Sequence, residues 1–184
     1  MNKLIIISGD LASGKSTLAK SLGDYLSYVV LNKDELKEIE CDVFDYTSRE
    51  ENKKLSLAAL KNMTHFFSRL ANVGVDVILE ANFRSEEVCE IADIASEYNY
   101  DVFLITLRGD YPLLYDRFLQ RMENRHKAHI SIGLQNDFNK FMEYNEMLRN
   151  QDLVFEPHII DMTELNERQV MEFAILLLKE EKFI

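Results

Sequence analysis

The chain has 184 residues, 47% of them hydrophobic, and a formal net charge of −11. That length predicts one domain, 1–184, with a sizeable core, and the acidity argues against a general binder of nucleic acid or anionic membranes, whose phosphates need clustered Lys and Arg. Leu4–Ile7 is too short for a signal peptide, no run approaches roughly 18 apolar residues, and Cys41 and Cys89 lack C-x-x-C spacing, so a cytoplasmic protein with free thiols and no membrane partner is expected.

The predicted elements alternate β and α. Lys3–Ser8 is apolar without alternation, as in a strand covered on both faces, and Ser13–Leu26 follows as a helix. Tyr28–Leu31 is a short second strand, after which Leu36-Lys37-Glu38 begins a helical turn and Cys41–Thr47 is less regular. Ser48–Asn72 carries Leu57, Leu60, Met63, Phe67 and Leu70 at the spacing of one helical stripe, and Gly74 ends that helix. Val75–Leu79 is a third strand, and Ser85–Glu97 a helix with Ser85 as its expected cap. Asp101–Leu107 is a fourth strand, and Pro112 opens a helix to about Asn124. Arg125–Gly133 reads as a loop, Leu134–Leu148 as a helix and Pro157–Asp161 as a fifth strand. Glu164–Lys179 closes the chain, with Val170, Phe173, Ala174 and Leu177 expected to face the sheet. This order predicts an α/β fold with a parallel sheet, right-handed crossovers and helices on both faces, and places the ligand at the carboxyl ends of the strands.

Gly9-Asp10-Leu11-Ala12-Ser13-Gly14-Lys15-Ser16-Thr17 matches G-x-x-x-x-G-K-S/T between a strand and a helix. The glycines let successive N–H groups turn inward on a phosphate, and the start of the next helix adds unpaired amides and its dipole. Gly9, Ala12, Ser13, Gly14, Lys15, Ser16 and Thr17 are therefore expected around nucleotide phosphates, with Lys15 reaching the β- and γ-phosphates and Ser16 binding Mg²⁺.

Asp34 follows the second strand on the same rim. It can orient and deprotonate a phosphoryl acceptor's hydroxyl, or cap the helix that follows, and the two roles are compatible. Glu35 could serve less directly, or bind Mg²⁺ through water. Glu80 ends an apolar strand as a Walker B acid does and is a candidate Mg²⁺ ligand, directly or through water. Asn82 and Arg84, just beyond it, are candidate acceptor contacts, with solvated loop residues as the alternative.

Arg117, Arg121 and Arg125 are spaced to share one helix face. Like charges at that spacing oppose the helix by a few tenths of a kcal/mol, so an anion meeting the stripe is the simplest explanation; pairing with Asp116 and Glu123 is the alternative. His126 and His129 have no third ligand beside them and read as an exposed lid loop rather than a metal site, while His65 and His158 read as structural.

The phosphate loop, Asp34, the acid ending strand three and the Arg-rich helix together resemble the P-loop small-molecule kinases. Gly9–Thr17, Leu31-Asn32-Lys33-Asp34 and Arg121-(x)₃-Arg125-His126-(x)₂-His129 resemble in particular the kinases related to polynucleotide kinase, zeta toxin and chloramphenicol phosphotransferase. The resemblance implies a three-layer α/β/α fold with a five-stranded parallel sheet in order 2-3-1-4-5, ATP and Mg²⁺ as co-substrates, Asp34 as base, catalytic roles for Lys15, Arg117 and Arg121, and a helical lid at about 117–133. Glu80 stands where that family more often has Asp. The expected function is transfer of the ATP γ-phosphoryl group to a hydroxyl of a small molecule. A polynucleotide or nucleoside/nucleotide kinase and a non-catalytic ATP-binding regulator are the alternatives. No Asn-Lys-x-Asp of a GTPase occurs late in the chain, and no motif specifies an oligomeric state or names the acceptor.

Overall fold

The first strand, β1 (Asn2–Gly9), shows why its sequence has no alternation: Leu4 and Ile6 enter one core cluster, and Ile5 and Ile7 enter the other on the opposite face. The computed structural model of the chain describes residues 1–129 and 133–184, so part of the expected lid, 130–132, lies outside the described residues. Helix α1 (Lys15–Leu26) follows β1, then β2 (Val29–Asn32), α2 (Lys33–Val43), α3 (Arg49–Asn72), β3 (Val77–Glu80), α4 (Ser85–Glu97) and β4 (Tyr100–Arg108). Helix α5 (Tyr111–Met122), a single 3₁₀ turn at Leu134–Asn136, α6 (Phe138–Arg149), β5 (Pro157–Asp161) and α7 (Glu167–Glu180) complete the order.

Five parallel strands pair in the order β2-β3-β1-β4-β5, as the resemblance implies. Leu18 and Leu22 of α1, Phe118 of α5, Phe141 of α6 and Val170, Ala174 and Leu178 of α7 pack on one face; Met63 and Phe67 of α3 and Val88 and Ile91 of α4 pack on the other. Both sheet faces are thereby dry, the condition under which an apolar parallel sheet is stable. In register, Asn32 lies beside Glu80 and Glu80 beside Ile7, so three strands end in line on one rim. Among the described residues no helix is long and apolar enough to cross a membrane. Cys41 is buried and Cys89 exposed, and both are free thiols.

Several expected elements are displaced for identifiable reasons. Asn32, not Asp34, caps α2: its side-chain oxygen accepts from the Asp34 and Glu35 amides at 2.8 and 3.2 Å. That cap starts the helix at Lys33, and it continues through the region expected to be irregular, burying Cys41. Ser85 is the first residue of α4 rather than its cap, and its amide donates to Gln151 at 2.8 Å. The helix expected over 134–148 is interrupted because Asp137 is extended (φ −149°) and starts α6 anew, accepting from the Lys140 amide at 3.1 Å. In α7 a capping box of Asn166 and Gln169 sets the start. The buried face then runs Val170, Ala174, Leu178, leaving Phe173 49% exposed, against expectation, with Leu177 only partly covered. Leu57 departs from the α3 stripe and is 55% exposed.

Candidate active site

Between β1 and α1 the chain must turn sharply without blocking the space above the sheet. Gly9 has φ +128°, and a Cβ there would lie 2.1 Å from the Leu107 carbonyl oxygen, so only glycine fits. Gly14 (φ +90°) meets no such obstacle; its left-handed backbone is what opens α1 with free amides. Ala12 also has positive φ, 61°, in this loop. Lys15 is buried, and its ammonium donates to the Asp10 carbonyl at 2.5 Å. Burial lowers its pKa, while Glu80, Asp34 and Asp10 act in the opposite direction.

Ser16 and Glu80 meet at the end of β3. The Ser16 hydroxyl donates to Glu80 Oε2 at 3.0 Å, and Asn32 Nδ2 donates to the same oxygen at 2.5 Å. Burial pushes the Glu80 carboxyl up to about 7; the charge of Lys15 opposes the shift and that of Asp34 adds to it. A hydroxyl and a carboxylate oxygen this close to a phosphate loop are hard ligands suited to Mg²⁺, so the residues present fit that ion. Glu35 contributes charge to the same neighbourhood.

The loop is braced from behind by residues with no sequence signal. Asp10 is fully buried, and the Arg149 guanidinium binds both its oxygens, Nε at 2.9 Å from Oδ1. The Gly109 amide donates to Asp10 at 3.0 Å. Arg149 also donates to the Gly109 carbonyl at 2.6 Å and lies over the Tyr111 ring. Buried Asn145 accepts from the Leu11 amide at 2.8 Å. Asp10 and Arg149 are 139 positions apart, a separation at which no local pattern operates.

Two depressions flank the loop. One, of about 340 Å³, is lined by Ser13, Gly14 and Thr17 of the loop, by Arg117 and Arg121 of α5, and by Met162 and Val170 near α7. The other, of about 650 Å³, lies between α2, α3, the start of α4 and the segment after α5. Asp34, Asn82, Arg84 and Arg125 all line this larger cleft. The three arginines therefore divide between the two depressions instead of facing one anion together. Arg117 reaches the Met162 sulfur at 3.5 Å, whereas Arg125 sits over the Phe118 ring, where burial lowers its pKa. Leu57 is explained by the same cleft: it forms part of the wall.

Residues 126–129, after α5, are held down by contacts from α2 and the start of α3. His129 is 9% exposed and lies between two acids, with Nε2 at 2.6 Å from Glu38 and Nδ1 at 3.9 Å from Asp34, itself 58% exposed. His126 and Lys127 meet Asp42 at 3.1 and 3.3 Å. The Tyr46 hydroxyl donates to the Lys127 carbonyl, and Asn52 donates to the Ala128 carbonyl at 3.0 Å. His158 stacks on Phe103 at 4.0 Å, a structural role, but His65 is exposed. Arg108, at the end of β4, lines a separate crevice with Arg149, away from this cleft.

A family model described as an AAA domain matches residues 4–138. The chain belongs to this AAA domain family. It is similar in structure to a Chloroflexus aurantiacus protein, described only provisionally as a kinase, with TM-score 0.79 and 22% identity over 95% of this chain and 97% of that one. A gluconokinase from Sinorhizobium meliloti superposes with TM-score 0.62 at 16% identity, covering 98% of this chain and 96% of that one. A Mycobacterium tuberculosis APS kinase, solved with AMPPNP and APS, gives 0.63 at 16% identity over 97% and 98%. The fold is thus that of the P-loop small-molecule kinases. Among curated proteins none matches the sequence significantly.

Proposed function

We propose that the protein is an ATP-dependent kinase that transfers the γ-phosphoryl group to a hydroxyl of a small molecule. The observation that carries this reading is the junction at Asp34: its carboxyl lines a cleft of about 650 Å³, a size suited to a metabolite, and contributes charge at Lys15 of the phosphate loop. One domain, 1–184, would do this, with a lid at about 117–133.

In this reading the loop amides from Gly9 to Thr17 and the Lys15 ammonium bind the donor phosphates. Ser16 and Glu80 would hold Mg²⁺, which supplies charge neutralisation on the phosphates when bound. Asp34 orients the acceptor hydroxyl and takes its proton. The acceptor oxygen forms the new P–O bond, the bond from the γ-phosphorus to its bridging oxygen breaks, and ADP leaves. Arg117 and Arg121 sit where they can meet nucleotide phosphates, and Arg125, Asn82 and Arg84 where they can meet the acceptor. Most of the rate enhancement in such transfers comes from positioning and charge, which this rigid rim supplies. The GTP-for-ATP question and the regulator alternative are decided by one assay. A panel of sugars, sugar acids, nucleosides and antibiotics is incubated with either nucleotide and Mg²⁺, and nucleoside diphosphate release and phosphorylated product are measured. Product with ATP supports the reading; tight ATP binding with no product across the panel favours the regulator.

A further inference from the structure

The cleft beside Asp34 has a charge opposite to that of the chain around it. With a net charge of −11 overall, the cleft is lined by Lys33, Lys37, Arg49, Lys53, Arg84 and Arg125 against only Asp34 and Glu87 as carboxylates. Lys33 and Glu87 neutralise each other at 2.6 Å. Among the described residues, none of the other five cations has a carboxylate within salt-bridge distance, and the buried Lys37 ammonium donates to the Asn52 amide oxygen at 2.9 Å. These cations come from four separate stretches of the chain. Lys37 is on α2 one turn beyond Asp34, Arg49 and Lys53 are one turn apart on α3, Arg84 precedes α4, and Arg125 follows α5. The α3 pair cannot be explained by ATP, because no α3 residue lines the donor-side depression.

A second observation points the same way. The Asn82 side-chain oxygen is buried in this lining and, among the described residues, has no hydrogen-bond partner. Leaving a buried amide oxygen unpaired is costly, and a hydroxyl donor from a ligand would remove that cost. Five cations without a carboxylate partner among the described residues, converging on one cleft, raise the local concentration of anions and offset the repulsion an anion would meet from Asp34 and the donor phosphates.

We infer that the phosphoryl acceptor is a hydroxylated anion, a polyol-like molecule bearing a carboxylate or phosphate ester, whose charged group is received by Arg49 and Lys53 of α3 while a hydroxyl is presented to Asp34. This rests on the kinase reading for the word acceptor, but the anion site itself does not need turnover. The test uses the full chain loaded with Mg²⁺ and AMPPNP, so that the phosphate loop is filled. Isothermal titration then measures binding of inorganic phosphate, gluconate and glucose 6-phosphate, with sorbitol and glucose as neutral partners. The anions should bind saturably and the neutral molecules should not, gluconate against the phosphate compounds telling carboxylate from phosphate. The double variant Arg49→Gln/Lys53→Gln, both surface positions, should weaken anion binding about tenfold or more and leave AMPPNP binding unchanged, while Lys53→Arg should retain anion binding. No second anion site, sorbitol binding as well as gluconate, or an unchanged affinity in the double variant overturns the inference. The two readings fail separately. Anion binding without any phosphorylated product removes the kinase and leaves the anion site; phosphorylation of a neutral polyol in preference to its acid removes the anion site and leaves the kinase.

Discussion

The two depressions beside the phosphate loop are made in different ways. The smaller one, proposed for the donor, has one wall of consecutive backbone, the Gly9–Thr17 loop, whose shape depends on positive φ at Gly9, Ala12 and Gly14, and α1, α5 and α7 supply side chains for the rest. The larger one, proposed for the acceptor, is lined by side chains delivered by α2, α3, the start of α4 and the segment after α5. A backbone cradle binds what all nucleotides share, and its geometry follows from a short contiguous sequence. A side-chain cleft can be relined one residue at a time without disturbing the sheet, which is how one fold serves many substrates. In the proposed function, the generic donor and the particular acceptor thus meet two differently made surfaces, with Asp34 lining the second.

The comparison can be broken most forcefully at that boundary. Asp34→Asn should lower turnover by roughly 10²–10⁴ with AMPPNP affinity unchanged, since the amide keeps the shape but cannot accept the proton; steady-state rates with any acceptor from the panel test this, and an active variant would remove Asp34 from the mechanism. Behind the donor loop, Arg149→Ala would leave the buried Asp10 carboxylate without its guanidinium, a loss of about 3–5 kcal/mol of stability by denaturant unfolding. If stability barely changes, the loop is not braced from α6. Glu80 gives a pH signature. Its carboxyl titrates near 7 in the fold against 4.5 when unfolded, so below pH 4.5 both states are protonated and nothing is lost. Between 4.5 and 7 only the unfolded chain ionises, and stability falls as pH rises, levelling above 7. Glu80→Gln should therefore abolish that slope, be about 3 kcal/mol more stable above pH 7, and bind Mg²⁺ with nucleotide more weakly. Thermal melts from pH 4 to 8 check the slope; a wild-type stability that rises over this window from this site would refute the assignment. The smallest effect is expected at the clasp over the acceptor side. Asp42→Ala removes the exposed partner of His126 and Lys127 and should speed protease cleavage near 126–129 with little change in global melting. Unchanged cleavage would mean the remaining contacts of Tyr46, Asn52 and His129 suffice.

Some misreadings of the sequence came from caps, and they carry one lesson. Asp34 read as a base first and as a helix cap second, because both roles suit a short acid after a strand. The structure assigns the cap to Asn32, two residues earlier, which frees the Asp34 carboxyl to line the cleft. Likewise the three arginines shared a helical spacing, but the helix ends at Met122 and Arg125 turns to the other depression. His126 and His129 looked exposed because their acidic partners, Asp42 and Glu38, lie more than 80 positions away on α2. Spacing rules hold only while the element continues, and they are silent about partners delivered by another element.

By itself the sequence determined the phosphate loop, the β/α alternation and hence a parallel sheet with its ligand rim, because these depend on contiguous residues: torsions only glycine adopts easily, and apolar runs long enough to need cover on both faces. Tertiary structure alone decided the Asp10–Arg149 brace, the meeting of Ser16, Asn32 and Glu80, and the cationic lining of the cleft beside Asp34. Each of those joins residues far apart in the chain, brought together by strand register and helix packing. Charge counted along the sequence gives −11 in total; only the fold could gather around Asp34 five cations that, among the described residues, have no carboxylate partner.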